Sequence, residues 1–263
     1  MKIGIIGAGN MGEAIIRGLV KKKGTVVWVC ENNKKRQDEI CRAYRVKKIT
    51  LEQFKNMCNI IILCVKPQNM DEVLCSLSFG VNKKNLLISI AAGVTTSHIQ
   101  KFFKSKVPVV RVMPNMPGMI GQGISAYCLG KYVRAKDEKN TKAIFSNLGE
   151  TLKTTENKMN AITAVSGSGP GFQAYFMAGL EEAASAVGLT KQEARLLSIS
   201  ASAGSANMVS LEGSDPSKMV ERVASKGGTT EAGLNELIKG KFKRIIKNAI
   251  KSAVKRAKEL SKD

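Results

Sequence analysis

With 263 residues the chain has room for two ordinary domains, and its 43% hydrophobic content, with 24 glycines against 6 prolines, excludes a disordered or fibrous protein and suits an α/β one. Lys and Arg number 42 against 21 Asp and Glu, a formal charge of +21 that favours anionic ligands, yet the basic residues are scattered and no apolar run approaches a membrane span. Six cysteines without a CxxC pair and a single histidine, His98, offer no zinc pattern, so no metal is expected.

Residues 2–6 read as a buried strand, and Gly7 to Gly12 follow as GAGNMG. Met11, Ile15, Ile16 and Leu19 then recur at helical spacing, and a second strand, residues 25–30, ends at Glu31. Strand, glycine turn, helix and strand in about thirty residues is the order of a dinucleotide-binding unit. Further on, helices are expected over 34–44, 70–79, 96–103 and 136–148, with strands over 60–65, 86–90 and 107–113 and weaker ones over 123–128 and 150–153. The alternation predicts a mostly parallel, Rossmann-like sheet.

Beyond residue 156 the strand signal gives way to alanine-rich helices, expected over 157–165, 170–187, 191–211, 215–223, 230–239 and 242–260. Asp215-Pro216 reads as a cap and a helix-starting proline, and Gly188 and Gly240 as stops. The fold class is therefore an α/β dinucleotide-binding domain over 1–155 followed by an all-helical domain over 156–263. Alanine and glycine stripes on long helices predict burial against a second subunit. The last helix is basic with one apolar face, expected to pack on protein; without a zinc finger, recognition-helix pair or aromatic platform, neither a nucleic-acid nor a membrane partner is expected. The N-terminus enters a strand with no leader pattern, which makes the cytoplasm the expected location.

Gly7, Gly9 and Gly12 match G-x-G-x-x-G in the right context: a tight turn, close backbone approach to a pyrophosphate, and a helix lying close to the sheet. Glu31, about twenty residues on, is placed to accept adenine-ribose hydroxyls and to repel a 2′-phosphate, whereas Lys34, Lys35 and Arg36 are residue types that bind that phosphate. NADPH and NADH both stay open, and the basic group tips the expectation towards NADPH.

Taken together, Ile5-Ile-Gly-Ala-Gly-Asn-Met-Gly-Glu-Ala-Ile15, Val65-Lys66-Pro67-Gln68, Ile90-Ala-Ala-Gly-Val94, Arg111-Val-Met-Pro-Asn-Met-Pro117, Ser166-Gly-Ser-Gly-Pro170 and Gly227-Gly-Thr-Thr230 make the whole chain resemble a pyrroline-5-carboxylate reductase. The resemblance implies reduction of 1-pyrroline-5-carboxylate to L-proline by NAD(P)H, a helical domain that dimerises by intertwining, and dimers that assemble into larger rings, commonly decamers. It places the nucleotide phosphates against Ile6, Gly7, Ala8, Gly9, Asn10 and Met11. Cys64, Val65, Lys66 and Pro67 fall at the cofactor edge, and Ala91, Ala92 and Gly93 beside the nicotinamide.

Read by itself, Ser225 to Thr230 is a glycine turn with a threonine cap. The resemblance makes Ser225, Gly228, Thr229 and Thr230 the substrate site, with backbone N–H groups and the Ser225 hydroxyl on the carboxylate and the Thr230 hydroxyl on the ring nitrogen as the catalytic contact. Lys226, Gly171-Phe172 and Leu51 depart from the family pattern. His98 reads as an exposed polar residue, and Arg111 and Asn115 either support the cleft or brace the proline-rich turn. The alternatives are a reductase for another cyclic imino acid and a non-catalytic NAD(P)-sensing protein.

Overall fold

A computed structural model describes residues 1–261. By contacts it falls into two units: residues 1–168 together with 253–261, and residues 169–252.

The first unit runs β1 (Lys2–Ile6), α1 (Asn10–Val20), β2 (Val26–Cys30), α2 (Lys34–Tyr44), β3 (Lys47–Lys48), α3 (Phe54–Met57), β4 (Ile60–Leu63), α4 (Met70–Ser78), β5 (Leu86–Ser89), α5 (Thr96–Lys101), β6 (Val109–Met113), β7 (Gly123–Leu129), α6 (Ala135–Phe145), β8 (Gly149–Lys153) and α7 (Met159–Ile162). The strands form one sheet in the order β3-β2-β1-β4-β5-β6-β7-β8. It is parallel except where β7 meets β6.

Every residue of β4 and β5 is buried, as a strand covered on both faces requires. The period-2 pleat sends Ile3, Ile5, Ile60 and Ile62 to one face, where Ile15, Ile16 and Leu19 of α1 meet them. Ile61 and Leu63 go to the other, against Met70, Leu74 and Leu77 of α4. Burial of each such side chain stabilises the unit by roughly 1.5–3 kcal/mol. A Cβ at Gly4 would lie 2.3 Å from the Phe54 ring, so the bare backbone there is what lets α3 close on β1.

Besides the short α3, which lies in a segment with no helix expected, two further elements differ from expectation. Lys47–Lys48 carries no apolar alternation and pairs with β2 for two residues only, so nothing in its composition marks it as a strand. The single helix expected over 157–165 is a turn at Glu156–Lys158, then α7, then a π-helical turn over Thr163–Gly167 whose wider spacing is closed by the Ser168 N–H donating to the Thr163 carbonyl at 3.0 Å.

The second unit holds α8 (Gly169–Ala186), α9 (Lys191–Glu212), α10 (Pro216–Val223), α11 (Thr229–Lys239) and the start of α12 (Phe242–Glu259). Thr190 and Glu193 form a capping box at α9, and the Asp215 carboxylate accepts from the Ser217 N–H at α10. Gly188 takes a positive φ of +100° as the stop of α8. At the end of α11 the left-handed residue is Lys241, not Gly240, which stays in the right-handed region. Tyr175, Val187, Leu196 and Leu211 are 84%, 82%, 65% and 88% exposed, an amount of uncovered apolar surface that a lone helical unit does not tolerate well.

Candidate active site

At the carboxyl ends of β1, β2 and β4 the first unit carries a cleft of about 310 Å³, lined by Gly7, Gly9, Glu31, Cys64, Val65 and Lys66 among others. Strand order reverses at this point, with β2 on one side of β1 and β4 on the other, and such a switch point is where open α/β sheets bind ligands.

The three motif glycines have different reasons to be glycine. Gly7 has φ +94°, and a Cβ there would be 2.6 Å from the Cys64 carbonyl oxygen. A Cβ at Gly12 would be 2.4 Å from the Gly7 carbonyl oxygen, so α1 lies against the turn only because that position is bare. Gly9 is the exception: its backbone is ordinary (φ −67°, ψ −173°), and a Cβ would meet nothing within 4 Å. The protein's own packing does not ask for glycine there. The open space stands at the N-terminus of α1, which no side chain caps, where the amides of the first turn lack helical acceptors. Bare backbone, unpaired donors and the positive end of a helix dipole fit a pyrophosphate.

Ile6 ends β1 beside the cleft, Ala8 is fully buried, Asn10 is exposed and Met11 half-buried. Pro67 opens a single turn, Pro67–Asn69, after Lys66. Burial pushes the Cys64 thiol far above its ordinary range, so it stays protonated. Ala91, Ala92 and Gly93 follow β5 and do not line the cleft: Ala91 is 4% exposed, and Gly93 (φ +76°) is bare because a Cβ would lie 2.4 Å from the Leu260 carbonyl oxygen. Lys34 starts α2 in solvent, away from the lining.

The acidic and basic candidates after β2 have settled differently. Glu31 accepts the Ala8 N–H at 2.7 Å and the Asn33 N–H at 3.0 Å. Arg36 turns inward, its Nε donating to the Ala8 carbonyl at 3.0 Å and its Nη2 pairing with Glu13. The Tyr44 hydroxyl donates to the other Glu13 oxygen at 2.7 Å, and with Arg36 it holds that carboxyl below its usual range against the opposing effect of burial.

Elsewhere in the unit, Arg111 is 1% exposed and pairs through Nη1 with Glu156 at 2.7 Å, while Glu156 also accepts the Thr96 N–H and hydroxyl at 2.9 and 2.8 Å. Asn115 braces the proline-rich turn, its Oδ1 accepting the Ile124 N–H at 2.9 Å. His98 is not the exposed residue expected from sequence: its side chain is 14% exposed and its Nε2 lies 2.8 Å from Asp71.

In the second unit, Gly227 adopts φ +73° and the Gly228 N–H donates to the Ser225 carbonyl at 2.9 Å. The helix cap is Gly228 and not a threonine, and no side chain caps α11. The Gly227 N–H already donates to the Glu231 carboxylate at 2.7 Å, so this turn does engage carboxylates. A Cβ on Gly228 would be 2.6 Å from Ser225 Oγ, which places that hydroxyl over the turn. Thr230 faces an apolar groove of about 680 Å³ lined by Phe176, Leu180, Val209, Met219 and Leu234 among others. Thr229 and Lys226 are exposed.

Residues 156–260 match the family model described as pyrroline-5-carboxylate reductase dimerisation, and residues 2–93 the model described as NADP oxidoreductase coenzyme F420-dependent. The pyrroline-5-carboxylate reductase of Synechocystis is 36% identical over 266 residues, covering 100% of this chain and 99% of that protein. The chain belongs to the pyrroline-5-carboxylate reductase family. Among solved structures, the Coxiella burnetii pyrroline-5-carboxylate reductase superposes with a TM-score of 0.92 at 31% identity, covering 100% of this chain and 99% of that one. The Plasmodium falciparum pyrroline carboxylate reductase with NADP bound superposes at 0.86 with 28% identity, covering 100% and 98%. Like those relatives, this family member pairs a dinucleotide-binding sheet with a helical region. Among the described residues no helix is long and apolar enough to cross a membrane, and no group of His, Cys, Asp or Glu is arranged to hold a metal.

Sequence reasoning missed the two-sided hold on Ala8 by Glu31 and Arg36 and the Glu156 anchor. A carboxylate three residues past the last strand, as Glu156 is past Lys153, carries no mark of burial in its type or spacing.

Proposed function

We propose that this chain reduces 1-pyrroline-5-carboxylate to L-proline, the closing step of proline biosynthesis. Membership of the reductase family over the full length carries this reading, and the chain is an NAD(P)H-dependent oxidoreductase acting on a C=N bond. When bound, the reduced nicotinamide supplies the hydride that adds to the imine carbon. The backbone N–H groups of Gly9, Asn10 and Met11 hold the phosphates, with Ile6, Gly7 and Ala8 shaping the turn. Cys64, Val65, Lys66 and Pro67 form the cofactor edge at the end of β4, and Ala91, Ala92 and Gly93 keep the neighbouring strand end free of bulky groups.

The substrate carboxylate is held by the uncapped N–H group of Thr229 at the start of α11 and by the Ser225 hydroxyl, over the turn that Gly228 closes with its own N–H on the Ser225 carbonyl. The Thr230 hydroxyl accepts from the protonated ring nitrogen and orients the imine carbon. An aliphatic hydroxyl is a weak acid, so Thr230 acts by alignment and not as a strong proton donor. Residues 1–155 form the dinucleotide-binding domain and residues 156–263 the helical dimerisation and substrate-binding domain. The exposed apolar side chains of α8 and α9 support a homodimer as the working unit, from which a decamer is built, in the cytoplasm.

Thr230→Val removes the hydroxyl and keeps the shape. Its kcat/KM for the imine is expected to fall roughly 10–100-fold, the loss of one well-aligned polar contact in the transition state, with nucleotide affinity unchanged. Unaltered kcat/KM in a folded Thr230→Val protein would remove Thr230 from the site.

A further inference from the structure

The end of β2 carries the choice between the two nicotinamide cofactors, a choice that rests on the reductase reading above and extends it. Of the charged side chains lining the cleft among the described residues, Glu31 and Glu72 are acids and Lys66 is the lone cation. Lys66 follows β4, two strands from Glu31 in the order β2-β1-β4, a separation of about 10 Å from sheet spacing alone. The remainder of the lining near Glu31 is uncharged, with Asn32 and Leu51.

The basic residues that follow have been taken out of use in that space. Arg36 has its guanidinium on the Ala8 carbonyl and on Glu13, which Tyr44 in turn secures. Lys34 and Lys35 are exposed and outside the cleft. Glu31, by contrast, is fixed in the cleft wall by two backbone N–H donors, Ala8 and Asn33, which leave its remaining lone pairs for further donors. A ribose with free 2′ and 3′ hydroxyls supplies such donors. A 2′-phosphate supplies only acceptors and about two negative charges against the carboxylate.

We infer that Glu31 selects NADH over NADPH, and that Arg36 is a positioning residue which holds the phosphate turn through Ala8 instead of a ligand of the 2′-phosphate. The same residue, Ala8, is gripped on its N–H by Glu31 and on its carbonyl by Arg36, so the selecting carboxylate and the phosphate turn are locked to one another. This reverses the lean towards NADPH drawn from the run of basic residues: Arg36 is engaged by Ala8 and Glu13, and Lys34 and Lys35 stand outside the cleft lining.

The test is calorimetric binding of NAD+ and NADP+ to the full-length protein at near-physiological ionic strength, where the overall positive charge does not dominate through unscreened attraction. Wild type is expected to bind NAD+ at least tenfold more tightly than NADP+. Glu31→Gln keeps an acceptor for the Ala8 N–H and removes the charge; it is expected to bring the two affinities within about threefold, chiefly by strengthening NADP+. Arg36→Leu is expected to weaken both by a similar factor, because it acts through the turn. Equal or tighter NADP+ binding by wild type, or an Arg36→Leu defect confined to NADP+, would overturn the inference. Because binding is read without turnover, failure of the reductase reading would show separately, as nucleotide binding with no imine reduction.

Discussion

Gly9→Asp is expected to leave the protein as stable as wild type and to abolish nucleotide binding. The position has an ordinary φ of −67° and nothing within 4 Å of a built Cβ, so a side chain enters without strain. It is also the N-cap of α1, where Asp is a favoured residue, and the cap it provides is worth up to a few tenths of a kcal/mol over glycine. The same carboxylate would point its charge into the space where the pyrophosphate is expected. Two like charges about 4 Å apart repel by about 4 kcal/mol at an intermediate effective dielectric, enough for at least a 100-fold loss of affinity. Thermal melting and NAD+ titration of the variant therefore move in different ways. Gly7→Ala, with a Cβ 2.6 Å from the Cys64 carbonyl oxygen and φ +94°, is the contrasting control and is expected to lose stability. Normal NAD+ affinity in Gly9→Asp would mean that the cleft is not the pyrophosphate seat.

Glu156→Ala is expected to cost about 2–4 kcal/mol of stability, the range for breaking a buried ion pair discounted for the one-third exposure of the carboxylate. Its partner Arg111 is 1% exposed, and Nε and Nη2 of that guanidinium have no acceptor among the described residues, so removal of Glu156 leaves a buried cation without its counter-charge. For a chain of this size the midpoint of thermal unfolding should fall by roughly 5–12 °C. The double variant Arg111→Met, Glu156→Leu removes the unpaired charge as well and should recover much of the loss. A pH dependence accompanies it. Burial pulls the Glu156 carboxyl upward, but the Thr96 N–H and hydroxyl together with Arg111 outweigh that and hold it below the ordinary 4.5. A folded-state value depressed in this way contributes stability that is full above the unfolded-state value and is lost as pH falls through the folded one. Urea midpoints of wild type should therefore converge on those of Glu156→Ala as the pH drops below about 4.5. A variant within about 0.5 kcal/mol of wild type at pH 7 would show that the pair contributes nothing beyond a surface contact.

How far the sequence speaks depends on whether a feature is set locally or by the fold. β1, the glycine turn, α1 and β2 were legible because Ile3, Ile5, Ile15 and Ile16 obey the periods of strand and helix, and because Gly7 and Gly12 are required by contacts close in the chain or at the adjacent strand end. β3 was not, since a two-residue edge strand of lysines has neither apolar content nor alternation. The π-helical turn at Thr163–Gly167 was hidden for another reason: its residues fit α spacing equally well, and only the Ser168 to Thr163 hydrogen bond distinguishes it.

The candidate site divides in the same way. Which residues follow β2 was plain, but where their side chains point was not. Arg36 is drawn to Glu13 across 23 positions, and His98 to Asp71 across 27, contacts that no local pattern encodes. The threonine cap expected at the substrate turn gave way to Gly228 because the chain enters α11 one residue earlier, leaving Thr230 free to face the groove. Gly93 shows the converse: the sequence places it in a family motif beside the nicotinamide, whereas in the fold its bareness accommodates the Leu260 backbone.

The most direct test of the central claim is to add 1-pyrroline-5-carboxylate to the purified protein with NADH or NADPH, following cofactor oxidation by absorbance and proline by chromatography. Proline formed one for one with cofactor oxidised, and faster with NADH at equal concentration, is the predicted result. A folded protein that binds NAD+ yet forms no proline with either cofactor would contradict the assignment.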